Sequence, residues 1–300
     1  MAARLPLLFE ALPPSATASP AHQEAHLQGL EGLRSRRLAA VNVPEVLDGH
    51  YRTVPTLPFA AELQRRLGVP AIVNRVTVHH GLPALRAWAE DAWLDFGIRD
   101  LVLVGGERGG LAYPGAHVEP SLADLRAGCS LRGGSLGVVT IPTRRRPVLD
   151  EPERLLRKRQ AGASFAVSQI LAEAEAAVRL HRDASAALGT RDFTIYWSLA
   201  PVARRRDVEF LEWLGVQVPP AVRKGLLESA DPAAVLARSH RLNGSLARTI
   251  LEATEGHGLR SAFCIEHVMQ SNVGAAIDLV DRIADLAREF SLRAPAPLLA

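Results

Sequence analysis

Eight short apolar runs, separated by helix-like stretches, constrain this 300-residue chain more than any single motif. The runs cover residues 5–9, 38–43, 71–78, 100–104, 135–140, 165–169, 193–198 and 261–265. Each is apolar or β-branched, and amphipathic stretches lie between them. Residues 82–96 are an example, with Leu82, Leu85, Trp88, Ala89, Ala92 and Phe96 near the 3.6 period and Gly97 as the stop. Further helices are expected over 170–188, 234–255 and 273–290. Strands alternating with helices indicate a parallel sheet wrapped by crossovers. Strand count and length favour an α/β fold of the (β/α)₈ TIM barrel type, one domain over 1–300 with a frayed tail at 294–300. An open doubly wound sheet is the competing arrangement, because periodicity does not report closure. The longest connections, 108–120 and 200–234, are expected to form loops and short helices over one end of the barrel.

Composition narrows the function. Apolar residues make up 48%, which is globular. No apolar stretch approaches the roughly 20 residues that span a bilayer, and the N-terminus lacks a secretory pattern, so a cytoplasmic protein with no membrane partner is expected. Cys129 and Cys264 are the only cysteines, too few for a disulfide framework or a cysteine zinc site. Net charge is +3, aromatic content is 5%, and no reader motif is present, which argues against nucleic acid. His79 and His80 are adjacent on an expected strand and point to opposite faces, so no metal is expected there.

In a barrel, the carboxyl ends of the strands share one mouth. Glu10 ends the first run just before Pro13 and Pro14, and so places a carboxylate there. Asn42 and Glu45 follow the second run. Thr77, His79 and His80 follow the third, and Glu107 the fourth. Thr140 and Arg144 follow the fifth, Gln169 the sixth and Ser198 the seventh, with Glu266 and His267 at the eighth. Carboxylates, amides and histidines in one mouth suit acid/base chemistry. The plain alternative for Glu10 is a solvated carboxylate at a strand end. For His267 it is a loop hydrogen bond, and for Arg144-Arg145-Arg146 a solvated face.

Several segments together resemble methylenetetrahydrofolate reductases. Phe9-Glu10-Ala11-Leu12-Pro13-Pro14 is similar to the F-E-x-x-P-P opening of that family. Residues 97–107 (GIRDLVLVGGE) resemble G-I-R-x-I-x-x-L-R-G-D, and 158–169 (KRQAGASFAVSQ) resemble K-x-x-A-G-A-x-x-x-x-T-Q. Ser198-Leu199-Ala200-Pro201-Val202 is similar to G-I-x-P-V. The segments keep their order over most of the chain, and the family fold is a (β/α)₈ barrel.

The resemblance implies reduction of 5,10-methylenetetrahydrofolate to 5-methyltetrahydrofolate with NADH or NADPH, in an enzyme of one-carbon metabolism and methionine biosynthesis. Glu10 matches the acid that helps open the folate ring. Gln169 matches an amide near the reacting centre, and Glu107 stands where the family has a pterin-binding Asp. Thr77 and Arg144 are further substrate-binding candidates, with Lys158 and Lys224 candidates for the cofactor. Some positions depart from the family. Gly105 replaces a flavin-contacting Arg, Pro44 a Thr and Ile141 a Tyr, while Glu151 is a candidate replacement for a ribityl-contacting acid. Together with Ile141-Pro142-Thr143-Arg144, these changes resemble the short flavin-independent actinobacterial type, so bound FAD is not expected. The expected partner is a small-molecule folate, with a homo-oligomer left open. A non-catalytic folate-binding or scaffolding relative that works with a partner subunit is the alternative.

Overall fold

A computed structural model describes residues 6–46, 52–106, 113–144, 150–190 and 192–293. Its eight strands are β1 (Leu7–Glu10), β2 (Ala40–Val43), β3 (Ala71–Val76), β4 (Asp100–Val104), β5 (Leu136–Thr140), β6 (Phe165–Ser168), β7 (Thr194–Leu199) and β8 (Arg260–Glu266). Every strand pairs in parallel with its sequence neighbours, and β8 returns to β1, so the sheet is a closed barrel. The fold is the expected TIM barrel, and the open sheet is excluded.

Helices α1 (Pro20–Leu30), α2 (Thr56–Leu67), α3 (Leu82–Leu94), α4 (Val118–Leu131), α5 (Glu151–Ala161) and α6 (Glu175–Leu188) form the crossovers after β1 to β6. Then α7 (Arg205–Trp213), α8 (Pro220–Leu226) and α9 (Pro232–Thr254) follow β7, and α10 (Val273–Arg293) follows β8. Local chemistry sets their ends. Asp231 caps α9 by accepting from Ala233 N and Ala234 N, and Gly68 closes α2 at φ 70°, a left-handed conformation that a Cβ disfavours.

The main core lies between the outer strand faces and the helices, with Phe9, Val41, Val73, Leu101, Val138, Trp197 and Phe263 all buried. A second cluster fills the lumen: Leu8, Ala40, Ile72, Val102, Phe165, Val167 and Cys264. Gly137 makes room for this filling, since a Cβ there would come within 2.3 Å of the Phe165 ring. A third cluster joins Val202, Val208, Leu211, Val216, Leu226 and Val235. It packs the connection between β7 and α9 into a cap, as the length of that connection led one to expect. No helix among the described residues is long and apolar enough to cross a membrane.

Candidate active site

Side chains on a strand alternate between faces, so the lumen residues fix which neighbours share their direction. Leu8, Ala40, Ile72, Phe165 with Val167, Tyr196 and Cys264 face the lumen. Two residues further toward the carboxyl ends come Glu10, Asn42, Asn74, Gln169, Ser198 and Glu266. These six polar residues share the inward parity above the apolar plug.

Strand register then decides which of them meet. Glu10 is paired with Asn42 on β2 and with Glu266 on β8. Asn42 Nδ2 donates to Glu10 Oε2 at 2.6 Å. Burial raises the Glu10 carboxyl from 4.5 to about 7, opposed by the hydrogen bonds from Asn42 and Glu266. Glu266 is 9% exposed, and burial followed by the adjacent Glu10 charge holds its carboxyl well above the usual range. Ser198 Oγ lies beside Glu266 and lowers its carboxyl, yet it lacks the geometry of a full hydrogen bond. Asn42 Oδ1 and Asn74 Oδ1 are also buried without a hydrogen-bond partner. Buried polar atoms are nearly always satisfied, so unpaired acceptors beside a protonated carboxyl mark a place for a ligand that brings donors. The layer can therefore deliver a proton and receive N–H groups or positive charge.

The loop after Glu10 is held from two sides. Leu12 N donates to His267 Nε2 at 2.9 Å, and His26 Nε2 lies 3.0 Å from Leu12 O. His267 also stacks on Phe9, with ring centroids 5.6 Å apart. Burial drives His267 down to about 3 and lowers His26 as well, so both rings are neutral near pH 7. His267 thus faces away from the lumen and forms the loop hydrogen bond weighed as its plain alternative.

The other expected site residues are distributed as follows. Gln169 follows the end of β6 at the parity of Val167, three strands from β1 around the barrel. Its carboxamide donates to Leu214 O at 3.2 Å and accepts from Ile170 N at 2.9 Å. Thr77 is fully buried in the turn after β3, with Oγ1 3.4 Å from Val104 O, a position that ties two strand ends together. Arg144 Nη1 is 3.5 Å from Glu151 Oε2. Glu151 itself is buried and accepts from Thr140 Oγ1 at 2.9 Å and Ile141 N at 3.0 Å, which anchors the β5–α5 loop. Lys158 is buried on α5 with Nζ 2.6 Å from Val139 O, and desolvation lowers it to about 8. That carbonyl takes one of the three N–H donors of the ammonium. Lys224 is exposed on α8. Glu107 lies outside the described residues. No group of three or more His, Cys, Asp or Glu among the described residues has the arrangement of a metal site.

Reading strand ends one by one named Asn42, Ser198 and Glu266 but could not couple them, because coupling needs the register. Asn74 lies inside an apolar run, which masks it. Its signal was alternation, two residues beyond Ile72.

No protein-family model matches the chain, and no curated protein matches it. Solved structures do. An uncharacterised protein from Clostridium thermocellum, described as binding two copies of 5-methyl-5,6,7,8-tetrahydrofolic acid, superposes with a TM-score of 0.79 at 18% identity over 95% of this chain and 97% of that one. The oxygenating constituent of 3,6-diketocamphane monooxygenase from Pseudomonas putida, a type II Baeyer-Villiger monooxygenase solved with FMN, gives 0.60 at 12% identity, over 98% and 100% of the two chains. The spore cortex-lytic enzyme SleL of Bacillus megaterium gives 0.51 at 10%, over 93% and 73%. At these identities the likeness is one of fold.

Proposed function

We propose that this protein binds a reduced folate in the barrel mouth and reduces 5,10-methylenetetrahydrofolate to 5-methyltetrahydrofolate, without a bound flavin. The observation that carries the reading is Glu10, a carboxyl raised to about 7 at the inward-facing end of β1, bonded by Asn42 and paired in register with Glu266. The folate-binding description of the Clostridium thermocellum protein, which matches nearly end to end, supports the substrate class.

The chemistry needs such an acid. The bridging methylene of the substrate is a poor electrophile until its bond to N10 breaks. The Glu10 O–H gives its proton to N10, the C–N10 electron pair leaves with N10, and the methylene remains as an iminium on N5. A carboxyl kept neutral by burial is suited to that transfer at neutral pH. The acceptor layer favours the cationic iminium, while Gln169 and Glu107 recognise the pterin edge. A reduced nicotinamide cofactor supplies the hydride that completes the reduction. Gly105 and Ile141, where the resembled family keeps an Arg and a Tyr for the flavin, support direct transfer.

The test is Glu10→Gln, assayed for NADH and NADPH oxidation with methylenetetrahydrofolate and for folate binding by calorimetry. Binding is expected within a few fold of wild type, with turnover lower by roughly 10² or more, as for loss of a general acid. Turnover near wild type would remove Glu10 from the chemistry. A stoichiometric flavin spectrum in the purified protein would overturn the flavin-free route. Tight folate binding by wild type with no nicotinamide oxidation would select a folate-binding protein that is not itself a reductase, as the Clostridium thermocellum protein binds 5-methyl-5,6,7,8-tetrahydrofolic acid.

A further inference from the structure

We propose that Glu266 is the proton partner of Glu10: the two carboxyls share a proton across the seam where β1 meets β8, and the pair holds that proton to higher pH than either carboxyl would alone. Three observations carry this. The two residues are register partners on adjacent parallel strands and face the same side, so their side chains start about 4.8 Å apart. Burial raises both carboxyls, and the Glu10 charge adds to the rise at Glu266. No described cation compensates them. Asn42 and Ser198 flank the pair from β2 and β7. Cys264 lies below on β8, fully buried and shifted toward the thiol form. Tyr196 is deeper in the lumen, packed against Phe165. His267 turns outward to Leu12 N.

Two uncompensated carboxylates at this separation in a buried layer cannot both be ionised, so the first proton lost leaves the second held between them. Loss of that second proton is opposed by the full charge of the first site. The pair therefore spans neutral pH with at least one acidic proton, and its single negative charge faces any cation formed above it. Glu266 is a positioning residue in this scheme, since it acts on substrate through Glu10. The catalytic consequence rests on the folate reading, whereas the shared proton does not.

Two measurements separate these claims. Infrared titration of the protein labelled with ¹³C-carboxyl glutamate, with no ligand, reads protonated carboxyls directly. Wild type is expected to keep a protonated carboxyl signal at pH 8, and in Glu10→Gln and Glu266→Gln the remaining carboxyl is expected to lose its proton at lower pH than the wild-type pair. Absence of the signal from wild type would overturn the proposal. The pH profile of kcat/KM gives the second readout. The alkaline limb of Glu266→Gln is expected at least one pH unit below that of wild type, with activity falling on the order of tenfold per pH unit beyond it. Glu266→Asp should move the limb back toward wild type. A loss of equal size at every pH, with an unchanged limb, would reduce Glu266 to a packing residue. No nicotinamide oxidation at any pH, with the carboxyl signal intact, would remove the reductase reading and leave the shared proton standing.

Discussion

Replacing His267 with glutamine should change how acid destabilises the protein, by an amount the structure sets. His267 is buried against Phe9, and its Nε2 lone pair is occupied by the Leu12 N–H. Burial, with His26 nearby, disfavours the imidazolium and holds the ring near 3 instead of 6.5; protonating Nε2 would also expel the Leu12 donor. In the unfolded chain the imidazole titrates at its ordinary value. Between those values the unfolded state binds the extra proton, so the stability contributed by His267 is full above about 6.5 and declines as pH falls toward 3. One proton corresponds to about 1.4 kcal/mol per pH unit, or about 2 kcal/mol between pH 7 and pH 5 once curvature near 6.5 is included. The Glu10–Glu266 pair works in the opposite sense. Its carboxyls hold protons more tightly when folded, so their contribution is present below 4.5 and lost as pH rises through about 7. Wild type minus variant cancels that opposing dependence. In His267→Gln the new carboxamide keeps an acceptor for Leu12 N–H but cannot be protonated. Urea melts at pH 7 and pH 5 should therefore show the wild-type advantage shrinking by about 2 kcal/mol at the lower pH. An advantage that does not change with pH would refute the assignment of His267 as a neutral, buried acceptor.

Two further outcomes follow from the lumen. Gly137→Ala places a methyl within 2.3 Å of the Phe165 ring, and overpacking of about 1–3 kcal/mol is expected, read as a lowered Tm in calorimetry. Asn42→Ala removes a hydrogen bond that holds the Glu10 carboxyl down, so Glu10 should titrate above about 7, measured by carboxyl ¹³C NMR.

Much of the architecture was legible because hydrophobic periodicity is local. All eight strands lie where the apolar runs are, and only their ends shift. The third run overshoots, since Val76-Thr77-Val78 is β-branched throughout while Thr77–His79 turns as a 3-10 helix; propensity does not sense the turn. Likewise the helix expected from residue 170 begins at Glu175. Ile170 and Ala172 are apolar because they pack into the cap cluster, not because they continue a helix. The site was legible in its residue types and not in their pairing. Thr140 and Glu10 both end strands, but Thr140 falls on the outward parity and meets Glu151, whereas Glu10 falls on the inward one. Lys158 reads as an ordinary helical lysine, and only the packing of α5 against β5 reveals its ammonium on a strand carbonyl.

The placement of Glu10 has a consequence for biogenesis. Its carboxyl neighbour arrives 256 positions later, and the backbone beside it is latched by a ring from position 267. A nascent chain leaving the ribosome therefore carries the acid through 256 further residues of synthesis without the surroundings that tune it. The mouth becomes competent in a single late event, when the last strand zips onto the first.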